Sequence, residues 1–421
     1  MSRLPRRAAA VVDSGPAAGA PTANWATVEP MRIKYALALA ACTGLVAGCS
    51  SGGGETVAES SSTTPSPSSV EPASHTGTAA PAAAPASCET EFLQSLPLRR
   101  KLAQLLNVGV TGTADAAQVV RDEQIGGIFV GSWTDEAMLA NREIPQVASA
   151  SSLPLMVTID EEGGRVSRVE NLLGADPSAR QTAATMTEEQ TYQMALERGR
   201  GLKDLGVTVN FAPDVDVSSQ PDDSVIGDRS YSDDPAVVTR YADAYARGMR
   251  DAGILPVIKH FPGHGSASGD SHTGAVTTPP LDQLQTKDLV PFRNLVSTGV
   301  GVMLGHLEVP GLTAPGVPAS ISPDAVALLR GGTGYGAPPF TGPIFTDDLS
   351  GMQAITDRYD ITVAVETALE SGVDVALWLT TDDVPRVLDH LESVVASGKL
   401  PQQRVDEAVL TVARAKGVLA C

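Results

Sequence analysis

The segment of residues 259–272 carries the residue types best suited to chemistry in this chain. It gathers Lys259, the imidazoles of His260, His264 and His272, and the carboxylate of Asp270 in a glycine-containing loop. Such a set is suited to proton transfer or ligand binding rather than to packing. An apolar run typical of a buried strand precedes the lysine, so the segment is predicted to begin at a strand's carboxyl end. α/β enzymes place their reactive groups at that end.

Eight short apolar runs, rich in branched residues, alternate with amphipathic stretches. The predicted strands cover residues 107–110, 127–130, 155–160, 207–217, 255–260, 300–305, 343–346 and 373–379. The stretches predicted as helices include residues 188–205, 236–252, 324–329, 364–371 and 384–397. A strand followed by a helix, repeated in this way, predicts an α/β fold that is a (β/α)8 TIM barrel. A doubly wound dinucleotide-binding sheet would need a glycine fingerprint after the first strand, and the sequence has none there.

Polar residues stand at the carboxyl ends of five predicted strands or just beyond them. They are Asp160 and Arg168 for the third, Asp214, Asp216 and Arg229 for the fourth, Lys259 and His260 for the fifth, His306 for the sixth, and Asp347 and Asp348 for the seventh. The carboxyl ends of barrel strands meet on one rim. The sequence therefore predicts one functional site that these residues share.

The charge of the chain limits its partners. The formal net charge is -19, and no dense run of lysine and arginine occurs. Nucleic-acid binding needs a basic face, so that class is excluded, and a neutral or modestly charged small substrate is expected. Hydrophobic residues make up 42% of the chain but aromatic residues only 4%, so branched aliphatic side chains are expected to fill the core.

The amino end has the order of a secretory signal. Arg32 and Lys34 precede the apolar residues 35–47, a segment too short to span a bilayer as a helix. The ending at Cys49 resembles a bacterial lipobox, which implies lipidation of that cysteine and an anchor on the outer side of the membrane. Residues 1–49 are assigned to this signal, and a start at Met31 would leave residues 1–30 untranslated.

A linker and two cysteines separate the signal from the folded part. Residues 50–87 consist mainly of Ser, Thr, Pro, Ala and Gly, a composition that cannot offset its own ordering entropy and predicts a flexible stalk. Cys88 and Cys421 stand at the two borders of the predicted domain, residues 88–421. In an oxidising envelope they are candidates for a disulfide that joins its ends.

Four segments are similar to signatures of glycoside hydrolase family 3, in its single-barrel NagZ-type β-N-acetylglucosaminidase branch. They are residues 160–168, 227–230, 259–272 and 345–350, and the resemblance extends over about residues 93–419. The spacing from His264 to Asp270 and His272 is the most discriminating of these marks. Glu161 departs from the glutamine expected of the branch.

The resemblance implies a retaining glycosidase that needs no cofactor and no metal. Asp347 takes the role of the nucleophile that forms a glycosyl-enzyme, and His272 with Asp270 takes the role of acid and base. An imidazole titrates near neutrality, and a nearby carboxylate orients it. The residues alone also allow Asp347 to be a helix N-cap, a duty that suits Asp348 better, and His272 to be a loop histidine capped by Asp270.

The resemblance assigns the terminal sugar to a second group of residues. They are Asp160, Arg168, Arg229, Lys259 and His260, whose side chains can accept from hydroxyl groups or donate to hydroxyl and acetamido oxygens. Four further residues are expected to support them without a defined role. They are Asp214, Asp216, Asp228 and His264.

The resemblance and the predicted envelope location imply a substrate. It is terminal β-linked N-acetylglucosamine next to N-acetylmuramic acid on peptidoglycan fragments, released during cell-wall turnover and recycling by a monomeric, lipid-anchored or partly secreted enzyme. Glucosides, chitin oligomers and phosphate as the acceptor stay open.

Two alternatives lie outside this reaction class. A metal-dependent hydrolase on the same barrel could use His260, His264, His272 and Asp270 as ligands. Such barrels tend to carry a His-x-His pair on the first strand, which this chain lacks. A non-catalytic glycan-binding lipoprotein would be expected to have lost Asp347 or His272, and both are present.

Overall fold

The computed structural model describes residues 87–419. The predicted signal with Cys49 and most of the predicted linker lie outside the described residues, and so does Cys421. Cys88 is disulfide-bonded, and because its partner is not described, the pairing with Cys421 stays a prediction. Within residues 87–419, no helix combines the length and the apolar character needed to cross a membrane.

The described residues form ten strands. They are β1 (Leu106–Gly109), β2 (Gly127–Val130), β3 (Met156–Ile159), β4 (Val209–Asn210), β5 (Leu255–Phe261), β6 (Val276–Thr277), β7 (Gly301–Leu304), β8 (Leu307–Glu308), β9 (Ile344–Thr346) and β10 (Ala376–Trp378). Eight of them form a parallel sheet in the order β10-β1-β2-β3-β4-β5-β7-β9, and β6 pairs with β8 apart from it. A parallel bridge between Phe345 and Val375 joins the two edges. The sheet is a barrel, which confirms the predicted (β/α)8 fold.

Each predicted strand has a counterpart in the barrel, but the fourth is much shorter than predicted. Pairing there is limited to Val209–Asn210, although residues 207–217 read as one apolar run. Pro213 has no N–H to donate to a ladder. Asp214 and Asp216 are buried and accept hydrogen bonds within the site. Apolar pattern alone cannot separate a paired strand from an irregular buried segment that serves a site.

Sixteen α-helices surround the barrel within the described part of the chain. They are α1 (Cys88–Gln94), α2 (Leu98–Ala103), α3 (Thr113–Glu123), α4 (Ala137–Ala140), α5 (Ile144–Ala148), α6 (Glu170–Leu173), α7 (Ala179–Thr185), α8 (Glu188–Asp204), α9 (Pro235–Asp251), α10 (Leu281–Leu284), α11 (Leu289–Leu295), α12 (Pro323–Gly331), α13 (Gln353–Thr356), α14 (Ile361–Ser371), α15 (Val384–Ser397) and α16 (Gln402–Ala415). The five helices predicted by range correspond to α8, α9, α12, α14 and α15.

Local sequence explains how the two long helices α8 and α9 begin and pack. Thr187 and Gln190 form a capping box at the start of α8, so two orphan N–H groups are satisfied there. A side chain on Gly248 of α9 would lie 2.6 Å from the Tyr192 carbonyl oxygen of α8. Glycine at this position lets the two helices approach closely.

Aliphatic side chains dominate the core, and the few aromatic rings concentrate inside the barrel. Phe211 stacks on Phe129 with centroids 5.9 Å apart and meets Phe345 edge-on at 5.3 Å. The buried amide of Asn107 donates to the Thr158 hydroxyl at 2.8 Å. This packed interior fixes the strand ends, and the strand ends position the site.

Candidate active site

A cavity of about 490 Å³ opens at the carboxyl ends of the barrel strands. Every residue predicted for catalysis or for sugar binding lines it: Asp160, Arg168, Arg229, Lys259, His260, Asp270, His272 and Asp347. They come from β5 and from the loops that follow β3, β4, β5 and β9. The predicted common rim is therefore present as one concave site, but Asp214, Asp216 and His306, which were predicted to share it, are buried and do not line the cavity.

A buried lysine joins two carboxylates at the cavity wall. The Lys259 ammonium contacts Asp160 Oδ1 at 2.5 Å and Glu162 Oε1 at 2.6 Å, and its side chain is 3% exposed. Burial lowers the pKa of Lys259, but the two carboxylates outweigh it and the net shift is upward. The lysine is therefore charged, and it fixes Asp160 at the end of β3 in a position to accept from a sugar hydroxyl.

Arg229 is held by a two-bond pairing with Glu162. Its Nε and Nη2 donate to the two oxygens of that carboxylate, each at 2.8 Å. Burial raises the pKa of Glu162, but Arg229 and Lys259 outweigh it and the net pKa lies well below the usual range. Glu162 is therefore ionised, and it positions both Lys259 and Arg229.

A chain of polar contacts orients His260. Arg229 Nη2 lies 3.4 Å from His260 Nε2. On the other side of the ring, His260 Nδ1 donates to Asp216 Oδ2 at 2.7 Å. Asp216 also accepts from the His264 N–H at 2.5 Å. The buried Asp216 therefore orients His260 and the start of the following loop together.

Asp347 lies directly after β9, and its backbone fixes it to the barrel. Its N–H donates to the Leu304 carbonyl at 3.0 Å, and its Oδ1 accepts from the Asp348 N–H at 2.9 Å. Asp348 instead caps the turn that follows: it accepts from the Ser350 N–H at 2.8 Å and the Gly351 N–H at 2.8 Å. Both carboxylates line the cavity, but Asp348 also holds the loop, whereas Asp347 makes no other side-chain hydrogen bond among residues 87–419.

Asp270 and His272 form a direct pair on the long loop after β5. Asp270 Oδ1 lies 2.7 Å from His272 Nδ1 and accepts the His272 N–H at 3.0 Å. The side chains are 40% and 57% exposed. The loop is tied to the segment after Asp347, because the Ala354 N–H donates to the Ser271 carbonyl at 3.1 Å. The pair is thus brought to the same cavity as Asp347.

Glu161, the residue that departs from the branch, does not line the cavity. It is 1% exposed and accepts from the Ser167 hydroxyl at 2.9 Å and from the Arg168 N–H at 2.7 Å. Burial raises its pKa, although these bonds and Arg198 oppose the shift. Its carboxylate holds the backbone that carries Arg168.

Sequence reasoning missed two residues of the site. Glu162 pairs with both Lys259 and Arg229, and its place in the Asp160-x-Glu162 motif was the available signal. Trp133, after β2, is the large aromatic side chain on the rim and is 42% exposed. An aromatic residue just beyond a strand end, in a chain with few of them, was the corresponding signal.

Asp288 anchors the long loop, and its titration should make the stability of the protein depend on pH. Its two oxygens accept from the Ser266 N–H at 3.1 Å and from the Ser266 hydroxyl at 2.9 Å. Burial raises the pKa of Asp288 to about 6, Ser266 lowers it and Asp216 raises it further. The folded state therefore holds this proton more tightly than the unfolded state. Protonated Asp288 makes its full contribution to the free energy of unfolding below the pKa of the unfolded state. That contribution is lost as pH rises through the pKa of the folded state.

Asp288→Asn should therefore stabilise the protein at neutral pH but not in acid. Near pH 7.5 we expect the free energy of unfolding of the variant to be about 1–3 kcal/mol higher than that of wild type, since one pKa unit corresponds to about 1.4 kcal/mol. Near pH 4 the difference should vanish. Urea unfolding at both pH values measures it. A difference that is the same at both would show that the charge of Asp288 is not responsible.

One group of side chains has the spacing of metal ligands. Ligand atoms of Asp214, Asp216 and His260 lie within 4.8 Å of one another. His264, His272 and Asp270, which the metal alternative needs, join no such group among residues 87–419. A cation at the observed group would also face Arg229, which lies 3.5 Å from Asp214.

We expect glycosidase activity to survive dialysis against EDTA unchanged. Loss restored by added Zn²⁺ would favour the metal alternative.

Comparison with known proteins identifies similar sequences. Residues 97–415 match the family described as Glycosyl hydrolase family 3 N terminal domain. Beta-hexosaminidase LpqI of Mycobacterium tuberculosis (strain ATCC 25618 / H37Rv) is 54% identical over 383 residues, which cover 90% of this chain and 96% of that protein. Beta-hexosaminidase of Xylella fastidiosa (strain M12) is 34% identical over 293 residues, which cover 65% of this chain and 82% of that protein.

Solved structures agree with these sequences. The structure of M tuberculosis LpqI superposes with a TM-score of 0.77 at 55% identity, and the match covers 78% of this chain and 96% of that one. A glycoside hydrolase family 3 β-N-acetylglucosaminidase from Paenibacillus sp. str. FPU-7 superposes with a TM-score of 0.71 at 32% identity, covering 77% and 63% of the two chains.

Proposed function

Because this chain belongs to glycosyl hydrolase family 3 and is a glycoside hydrolase of the β-hexosaminidase type, we propose that it removes terminal β-linked N-acetylglucosamine from peptidoglycan fragments with retention of configuration. These matches confirm the family resemblance drawn from the four motif segments. One observation carries the proposal: Asp347 lines the same cavity as the hydrogen-bonded pair of Asp270 and His272. A nucleophile and a separate proton donor are the two groups that retaining hydrolysis requires.

In the first step, a carboxylate oxygen of Asp347 bonds to the anomeric carbon while the bond from that carbon to the leaving oxygen breaks. Burial raises the pKa of Asp347, but His260, His306, the Asp348 N–H and Lys259 outweigh it and the net shift is downward. The carboxylate is therefore ionised at neutral pH. His272 transfers its proton to the leaving oxygen, so the second sugar departs as a neutral alcohol.

In the second step, water replaces Asp347 on the anomeric carbon. His272, now neutral, takes a proton from the water as its oxygen bonds to that carbon, and the Asp347 carboxylate leaves. Two inversions give retention overall. Asp270 occupies the Nδ1 side of His272 at 2.7 Å, so the proton exchanges at Nε2. The carboxylate stabilises the imidazolium, which exists before the first transfer and again after the second.

The proposed role of the rim cations is to hold the sugar being cleaved. Asp160 accepts from its hydroxyl groups, while Lys259, Arg229 and Arg168 donate to hydroxyl and acetamido oxygens. The Nε of Arg168 is buried and has no hydrogen-bond partner among the described residues. An uncompensated buried donor in a cavity wall is stabilised when a ligand oxygen accepts from it. The acetamido carbonyl is the acceptor that distinguishes this sugar from glucose.

Trp133 is suited to the leaving sugar. Its ring packs on Phe129 with centroids 5.9 Å apart, and it folds over Gly131, where a side chain would lie 2.3 Å from the indole. The glycine therefore holds an exposed aromatic face at the cavity mouth. Aromatic faces in that position bind the apolar side of a ring.

Trp133→Ala should weaken binding of the leaving sugar without changing the groups that carry out bond cleavage. We expect kcat/KM on a β-linked disaccharide to fall about 10-fold, on the order of 1.4 kcal/mol, as expected for one aromatic contact. N-acetylglucosaminyl fluoride has no second sugar, so its turnover should be unchanged, and Trp133→Phe should retain most of the disaccharide activity. Equal losses on both substrates would contradict the assignment.

The proposed location is the outer face of the membrane, with a lipid on Cys49. The order of basic, apolar and small residues before that cysteine supports it. The match to LpqI of M. tuberculosis covers 90% of this chain, more than the described residues could supply alone. Globomycin-sensitive processing and labelling by a fatty-acid probe, lost in Cys49→Ala, would test the anchor.

The substrate proposal is tested by comparing sugars and products. We expect hydrolysis of 4-nitrophenyl N-acetyl-β-glucosaminide and of the disaccharide of N-acetylglucosamine with N-acetylmuramic acid. The matching glucoside should be cleaved far less. Proton NMR of the first product should show the β anomer. Release of a sugar 1-phosphate in phosphate buffer would show that the reaction is phosphorolysis rather than hydrolysis. Release of the α anomer would exclude a retaining mechanism.

A further inference from the structure

A second cavity, of about 410 Å³, lies at the opposite end of the barrel from the candidate active site. Its wall includes Met156, Val209 and Leu255, the first residues of strands β3, β4 and β5. We call it the basal cavity. Three cationic side chains line it, Lys203, Arg250 and Lys416, and no aspartate or glutamate is among its lining residues. A cavity with only cationic charge is unexpected in a chain whose net charge is -19.

The three cations lack carboxylate partners within the described part of the chain. Lys203 donates to the Gly253 carbonyl at 3.1 Å, and Lys416 donates to the Gln104 side chain at 2.7 Å. Arg250 Nη1 is buried and has no hydrogen-bond partner among residues 87–419. Both lysine bonds go to neutral oxygens. Within residues 87–419, no ion pair balances the charge gathered at the basal cavity.

Helix ends explain part of this arrangement but not all of it. Lys203 lies in the last turn of α8 and Arg250 in the last turn of α9, while Lys416 caps α16. Cations at helix C-termini interact favourably with the helix dipole. That effect needs no burial and no convergence, since an exposed cation obtains it at little desolvation cost. It accounts for the residue types and leaves their gathering around one cavity unexplained.

Arg250 and Lys416 are half-buried, whereas Lys203 is exposed. Desolvation lowers the pKa of Lys416 to about 7, and it also lowers the pKa of Arg250 despite Asp243 and Asp251. A buried cation without an anionic partner is destabilising unless a ligand compensates it. An arginine fork beside lysines is a combination that binds tetrahedral oxyanions.

We propose that the basal cavity, with Lys203, Arg250 and Lys416, binds a small oxyanion of the phosphate class. The cavity is larger than one inorganic ion needs, so free phosphate and a small phosphate monoester both fit it. Lys416 takes up a proton when the anion binds, since the bound charge favours its ammonium form. The site is separate from the rim that carries Asp347 and does not depend on the proposed glycosidase mechanism.

Calorimetric titration of the full chain with sulfate, at constant ionic strength in chloride, tests this site. Sulfate keeps its charge across the pH range, so a change of affinity reports on the protein. We expect one site with a Kd of about 1 mM or tighter near pH 6, and affinity that falls as pH rises past neutrality. Lys416→Met and Arg250→Gln should each weaken binding about 10-fold or more. Lys416→Met should also remove the pH dependence.

Three controls make the result decisive. Arg247→Gln changes an exposed arginine of the same helix that pairs with Asp243, and it should leave sulfate affinity unchanged. Glycosidase activity should be unchanged in all three variants, which shows that they fold. Titration with inorganic phosphate and with glycerol phosphate then distinguishes a free ion from a monoester. Absence of saturable binding, or equal binding by wild type and both cavity variants, would overturn the proposal and leave only the helix-dipole role.

Discussion

Asp347→Asn should lower kcat by about 10⁴-fold or more while leaving the fold and substrate binding largely intact. The asparagine side chain is nearly the same size and can still accept from the Asp348 N–H, the one side-chain hydrogen bond that Asp347 makes within the described residues. It cannot form the ester on which a retaining reaction depends. The loss should therefore appear in kcat rather than in KM, measured with 4-nitrophenyl N-acetyl-β-glucosaminide.

Two neighbouring aspartates provide controls. Asp348→Asn removes a carboxylate that caps Ser350 and Gly351, so it should lower stability and cost much less activity than Asp347→Asn. Asp357→Asn alters an exposed position and should change neither property. If Asp348→Asn were the inactive variant and Asp347→Asn active, the division of roles after β9 would be reversed.

His272→Ala should lower kcat by about 10²–10⁴-fold on substrates with a poor leaving group, the range that general acid catalysis contributes. Its imidazole supplies the proton for a sugar alcohol. An activated aryl group departs without that help. The rate of the first step should therefore fall much less for 2,4-dinitrophenyl N-acetyl-β-glucosaminide. Activity measured across a series of leaving groups reports this difference.

Two variants separate proton transfer from loop structure. Asp270→Asn keeps a side chain that accepts from the His272 N–H but removes the charge that stabilises the imidazolium, so its activity should be intermediate. His390→Ala changes a histidine on α15 that pairs with Glu366, and it should leave kcat unchanged. Equal losses of kcat/KM, which reports the first step, by His272→Ala on good and poor leaving groups would contradict a role in proton donation.

The fold could be predicted from sequence because a barrel repeats one signal. Each strand is short and buried on both faces, so it appears as a continuous apolar run, and amphipathic helices separate the runs. The bounds of β2 and α15 agree with the prediction residue for residue. The fourth strand did not, because residues beyond Asn210 are as apolar as a strand while their backbone serves the site.

The site could be predicted only as far as motifs and strand ends reach. Asp347 and His272 follow strands and Lys259 lies near the carboxyl end of β5, and topology brings the ends of parallel strands together. Glu162 was missed because its importance lies in two partners, Lys259 and Arg229, that are distant in sequence. The basal cavity was missed for the same reason: its cations come from three helix ends and carry no local pattern.

The central claim, a covalent glycosyl-enzyme on Asp347, is tested most directly by trapping it. A 5-fluorinated N-acetylglucosaminyl fluoride should inactivate the enzyme by forming the ester quickly and hydrolysing it slowly. Mass spectrometry of the digested protein should then find one added sugar, on the peptide that contains Asp347. Labelling of any other residue, or turnover of the reagent with no adduct in an active enzyme, would contradict the account.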